Sequence, residues 1–107
     1  MLLSQLQREH ERWLAYNFPD QHPHDALLGL VEEVGELAHA HLKHEQGIRG
    51  MTDEEFKKQA GDAIGDIVIY LASYCNTNDF NLPYEVSTAW DKVKERDWRK
   101  DPDNAGA

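Results

Sequence analysis

Cysteine is nearly missing from this sequence: Cys75 is the single one in 107 residues. No internal disulfide can form, which suits a reducing compartment, and a cytoplasmic location is expected. Basic residues are scarce, 11 against 20 acidic, for a net charge of -9. A general nucleic-acid surface needs a basic face to neutralise phosphates, so no nucleic-acid partner is expected. Long apolar runs are absent too; none approaches the roughly 18 residues of a membrane span. The N-terminus carries no basic region ahead of an apolar run, so no secretory leader is expected. Strand-like alternation is missing throughout, which leaves an all-α fold. The length suits one domain, expected over residues 1–100, with 101–107 as a frayed tail. Several helices in so short a chain often complete their core against a second copy.

What is present is helical periodicity. Leu3, Leu6, His10, Trp13 and Leu14 recur at three- and four-residue spacing and predict a first helix over 2–16. Two prolines and Asp20 break it between Phe18 and His24. Asp25 is positioned to cap a second helix that continues to about Glu45. There Leu27, Leu30, Val31, Val34, Leu37, Ala38 and Leu42 share one broad face, and Glu32, Glu33 and Glu36 lie opposite with Gly29 and Ala40. The glycines of the Gln46–Gly50 stretch end it. Thr52 and Glu55 form a capping-box pattern that opens a third helix, running to about Cys75. From Ala60 onward this helix is apolar nearly all round, except for a stripe of Asp62, Asp66 and Ser73, and such a helix is expected to be buried. Pro83 suits the first turn of a fourth helix, expected to reach about Trp98. The architecture predicted is a four-helix bundle-like subunit completed by oligomerisation.

The acids carry the chemistry. Glu32, Glu33 and Glu36 can point to one side of their helix, and Asp62 and Asp66 are again four residues apart. Taken alone, the glutamates read equally well as a solvated helix face. A carboxylate on a buried helix, however, costs several kcal/mol unless paired or bound to metal. Basic residues are absent from both the Ala26–Leu42 and the Gln59–Cys75 stretches. The partners expected for Asp66 are therefore other acids or a cation. All-oxygen ligands suit Mg²⁺ or Mn²⁺. Gly35 and Gly65, beside the acids, are expected to let the two helix backbones approach.

Glu32-Glu33-Val34-Gly35-Glu36-Leu37, followed by Asp62-Ala63-Ile64-Gly65-Asp66-Ile67, resembles the paired motifs of the all-α nucleoside triphosphate pyrophosphohydrolases of the MazG-like superfamily. The resemblance spans about residues 20–100. It implies that Glu33, Glu36 and Asp66 are metal ligands and that Glu32 binds metal or orients the attacking water. It implies hydrolysis of an NTP or dNTP to the monophosphate and pyrophosphate, by a homodimer or homotetramer. The family's second-motif glutamate falls at Ala63. Asp62, one residue earlier, is the acid available to replace it, though it points about 100° away on an ideal helix. A catalytically silent relative that binds nucleotide or a protein partner is the rival reading.

Substrate contacts are expected from several places. Trp13, Phe18 and His22 can stack on or hydrogen-bond a base, although Trp13 also reads as core. Asn76 can read a sugar or base edge, or end the third helix. Five of the chain's 11 basic residues fall in 92–100, and Lys92 and Arg96, four apart on the predicted helix, can contact phosphate. Cys75, at an apolar helix end, reads as packing. His39 and His41 point about 200° apart on a helix, and His41 and His44, which can share a face, lack a third nearby ligand of obvious spacing for zinc.

Overall fold

Capping chemistry sets the helix ends where the sequence places them, with three exceptions. The computed structural model describes residues 1–47 and 50–103. It contains four helices and, among the described residues, no strand: α1 Leu3–Asn17, α2 Asp25–Gln46, α3 Asp53–Thr77 and α4 Leu82–Val93. Thr52 caps α3 through Oγ1, which accepts from the Glu55 backbone N–H at 3.0 Å, and the Glu55 carboxylate accepts from the same hydroxyl. Gly47 closes α2 in the left-handed conformation at φ 63°, donating its N–H to the Lys43 carbonyl. Ile48 and Arg49 of the predicted turn, and residues 104–107 of the predicted tail, lie outside the described residues.

The exceptions have local causes. Asp25 does not cap α2 forward; its carboxylate accepts from the His22 backbone N–H at 2.9 Å, turned back into the loop. Asn76 does not end α3, which continues to Thr77 with Asn78 at its C-cap. Helix α4 stops at Val93 instead of reaching Trp98. Asp97 Oδ1 accepts from the Lys100 backbone N–H at 2.9 Å, so its side chain starts a separate turn that competes with continued helix. Arg96 is therefore off the helix that carries Lys92, and the expected four-residue pairing of the two is not made.

α1, α3 and α4 meet around Ala72, Cys75 and Leu82, with Leu3 and Leu6 packed against them. Side-chain amides tie this end together. Gln7 donates to the Phe80 carbonyl and accepts from the Leu82 N–H, and Asn76 donates to the Gln7 carbonyl at 2.9 Å. Asn78 holds the α1–α2 loop by donating to the Pro23 carbonyl.

α2 meets α3 by an unexpected side. Of its large apolar residues, Leu37 shares in the contact, while Leu27, Val31, Val34 and Leu42 do not. Ala26, Gly29, Glu33, Leu37 and Ala40, spaced three and four apart, turn toward α3, and Ala26 and Ala40 are 0 % and 1 % exposed. Small side chains leave room between the two helices, and at Gly29 the Tyr70 ring fills it: a Cβ there would lie 2.3 Å from the ring. Gly35 and Gly65, expected at the close approach, have nothing within 4 Å of where a Cβ would stand. The larger residues Leu27, Val31, Val34 and Leu42 stay exposed, as do Ile64, Ile69 and Leu71 on α3. Helix α3 is thus not buried all round, because one chain has too few neighbours to cover its apolar circumference.

The open packing has a measurable scale. The chain exposes 8257 Å² at 12.3 kDa, against about 6,100 Å² for a folded monomer of that mass. Its radius of gyration is 17.4 Å, against about 13 Å for a closed domain of this length. No large side chain is fully buried among the described residues.

Candidate active site

The antiparallel register of α2 and α3 brings the two acidic motifs together. Gly29 faces Tyr70, and one turn further along each helix Glu33 faces Asp66. Glu33 and Asp66 sit at the edge of a cavity of about 750 Å³ between α1, α2, α3 and the α1–α2 loop. Its walls include His10, Trp13, Phe18 and Tyr70, with Ser73 and Asp25 also lining it. Asp66 lines in addition a second hollow of about 420 Å³, shared with Glu32, Glu36, Asp62 and Ala63. An aromatic cavity and an acidic groove therefore adjoin, with Asp66 common to both.

Glu33 is the most perturbed acid of the cluster. Its Oε2 is buried with no hydrogen-bond partner. Burial first, then the negative charges of Glu36 and Asp66, raise its pKa above the ordinary glutamate value. The other acids are exposed, Asp66 included, so it is Glu33 and not Asp66 that carries the desolvated charge. Asp62 is engaged by Lys58, whose ammonium donates to it at 3.3 Å on the surface. Ala63 is 2 % exposed and lines the acidic groove.

The donor set suits a hard divalent cation: an unpartnered buried carboxylate oxygen with two further carboxylates close enough to raise its pKa. Among the described residues, however, no three His, Cys, Asp or Glu side chains are gathered closely enough to hold an ion. Glu36 and Asp66 would have to swing in toward Glu33.

The remaining predicted contacts divide. Trp13, half-exposed at 53 %, lines the cavity and is not core. It stands against His10, with ring centroids 5.5 Å apart, and against Phe18 at 5.8 Å. His22 stacks on His24 outside the cavity lining, and Asn76 lies in a separate surface groove between α1 and the α3–α4 loop. Lys92 and Arg96 line neither the cavity nor the acidic groove, and no Lys or Arg does.

Three cavity residues escape sequence reasoning. His10 is 8 % exposed with Nδ1 buried and unpartnered, and burial lowers its pKa. Its place on the apolar face of α1 was the available signal. Tyr70 was hidden in the apolar pattern of α3, although it follows Asp66 by one turn, and Ser73, read in the polar stripe with Asp66, was not singled out as a site residue. Compared with protein-family models and with curated proteins, the chain matches none.

Proposed function

We propose that this protein is a divalent-metal-dependent nucleoside triphosphate pyrophosphohydrolase of the MazG-like type, working as a homo-oligomer. The observation that carries the reading is Glu33: a half-buried carboxylate whose Oε2 is buried without a partner, raised in pKa by burial and then by Glu36 and Asp66, beside the aromatic cavity that adjoins the acidic groove at Asp66. An acidic groove with no Lys or Arg in its lining repels a bare triphosphate. It accepts one that arrives with metal. Glu33, Glu36 and Asp66 would hold Mg²⁺ or Mn²⁺, with Asp62 at the groove's edge once released from Lys58. When bound, the metal neutralises the triphosphate and makes water a stronger nucleophile. Glu32, exposed on the groove, accepts the proton of the attacking water. The water oxygen bonds to phosphorus, and the bond to the pyrophosphate leaving group breaks. The base enters the cavity, where Trp13 and Phe18 offer ring faces.

The missing partner surface supports the oligomer. The chain exposes about 2,000 Å² more than a closed monomer would. Two copies would bury about twice that, within the roughly 2,000–5,000 Å² typical of obligate homodimers. The exposed stripe Leu27, Val31, Val34, Ala38 and Leu42 on α2 is the surface to cover.

Pyrophosphate release from a panel of NTPs and dNTPs with Mg²⁺ tests the activity. Glu36→Ala and Asp66→Ala should each reduce turnover by at least about a hundredfold, beyond what losing a metal ligand's supporting partner costs. Unchanged rates would remove the proposed site. A second reading is favoured by Ala63, buried where the family has an acid, and by Asp62 being held by Lys58. On that reading the chain binds nucleotide without hydrolysing it. Nucleotide binding without turnover on any substrate would establish it, and a rate gain in Ala63→Glu would show which side chain is wanting.

A further inference from the structure

The notch at Gly29 does more than bring two helices together. A Cβ built there would stand 2.3, 2.6 and 2.9 Å from Cε1, Cζ and Cδ1 of Tyr70. The face of the phenol ring therefore lies against the α2 backbone at Gly29, in space that any other residue's Cβ would occupy. The same ring lines the cavity, one turn along α3 from Asp66, while Gly29 is one turn along α2 from Glu33. One side of Tyr70 is fixed by the glycine; the other faces the ligand space. The other helical glycines Gly35, Gly61 and Gly65 have nothing within 4 Å of a Cβ, so this close approach is peculiar to the rung beside the acids.

We infer that Gly29 is a positioning residue: it parks the Tyr70 ring against α2, which keeps the cavity open and makes Tyr70 a specificity-determining wall for the group bound next to Glu33 and Asp66. A methyl group at position 29 cannot share space with the ring. The ring also lines the cavity whose walls include Trp13 and Phe18, so the cavity is open space into which a displaced ring can move. Gly29→Ala therefore fills the cavity with a side chain already in the protein. Shortening that side chain with Tyr70→Leu reopens it. The nucleotide part of this inference rests on the proposed function; the placement of the ring does not.

The test is a double-mutant cycle with two readouts. The first is binding and turnover of dCTP and dATP with Mg²⁺. Gly29→Ala should raise Kd and KM by roughly tenfold or more, about 1.4 kcal/mol, with kcat less affected. Gly29→Ala/Tyr70→Leu should return to the level of Tyr70→Leu alone. A helix pair merely splayed apart would lower kcat with KM and would not be rescued. The second readout needs no nucleotide. In a chain with Trp90→Phe and Trp98→Phe, Trp13 is the remaining tryptophan. Gly29→Ala should shield its fluorescence from acrylamide, and the double variant should restore quenching. Unchanged quenching in Gly29→Ala overturns the inference whatever nucleotide does. Shielding and rescue without any nucleotide binding by the wild type would uphold the positioning and instead count against the proposed substrate.

Discussion

The two sides of α2 have exchanged the roles their side chains suggest. The side bearing Ala26, Gly29, Glu33 and Ala40 is small and partly acidic, yet it is the one pressed against α3. The side bearing Leu27, Val31, Val34 and Leu42 is large and apolar, yet it faces water, with Val31 63 % exposed. Close approach explains the first. A helix contact made of alanine and glycine brings backbones together and leaves room beside it for a functional carboxylate, which a leucine-filled contact would bury or expel. The second is explained only if something covers it. The small residues thus make the intramolecular contact, and the large ones are left as the surface where a second copy is proposed to dock.

The comparison breaks most visibly on the open side. Val31→Asp with Val34→Asp places two charges in the middle of the exposed stripe. If a second copy covers that stripe, the pair of substitutions should convert the protein to monomers, because an unpaired charge in an interface core costs several kcal/mol. Light scattering behind size-exclusion chromatography reads this as a halving of mass. A wild-type protein that is itself monomeric at micromolar concentration would remove the partner argument. The closed side should respond differently. Ala26→Leu forces three more carbons into the α2–α3 contact, an overpacking worth about 1–3 kcal/mol or more, read as a Tm lowered by roughly 4 °C or more per kcal/mol. Ala38→Leu, the same change on the open side, should leave the stability of the folded chain itself within about 0.5 kcal/mol.

Periodicity made the helices legible, and caps such as Thr52 and Gly47 made most of their ends legible too. The Glu33–Asp66 encounter was also foreseeable, since acids at helical spacing on two helices can meet if the helices pair. Which side of α2 would pair was not. A hydropathy pattern ranks faces by apolarity, and the contact was decided instead by size: Tyr70 needs the absence of a Cβ at Gly29. For the same reason the glycines flanking the acids, Gly35 and Gly65, looked like the close approach and were not. Asp97 ended α4 early through a side-chain bond that periodicity does not weigh. Asp66 was expected to be the stranded charge because α3 is apolar all round; in the chain that role passes to Glu33, since α3 leaves one side uncovered.

The smallest effect probes Glu33 itself. Its pKa is raised by burial and by Glu36 and Asp66, so the folded chain holds that proton more tightly than the unfolded chain does. Where the folded pKa exceeds the unfolded one, stability falls as pH rises across the interval between them. The penalty is absent below the ordinary glutamate pKa and complete once pH passes the raised value. Glu33→Gln keeps the shape and removes the titration. Without metal, its Tm should therefore exceed that of the wild type at neutral pH, and the gap should close as pH falls below the ordinary carboxylate range. Added Mg²⁺ should narrow the gap from the other direction, by stabilising the wild type more than the variant, because a cation that binds the native state shifts folding by mass action. A gap that ignores both pH and Mg²⁺ would mean the amide simply packs better. A gap that closes with acid but not with Mg²⁺ would leave Glu33 a desolvated carboxylate that metal does not reach, and would direct the search for its counter-charge to a binding partner.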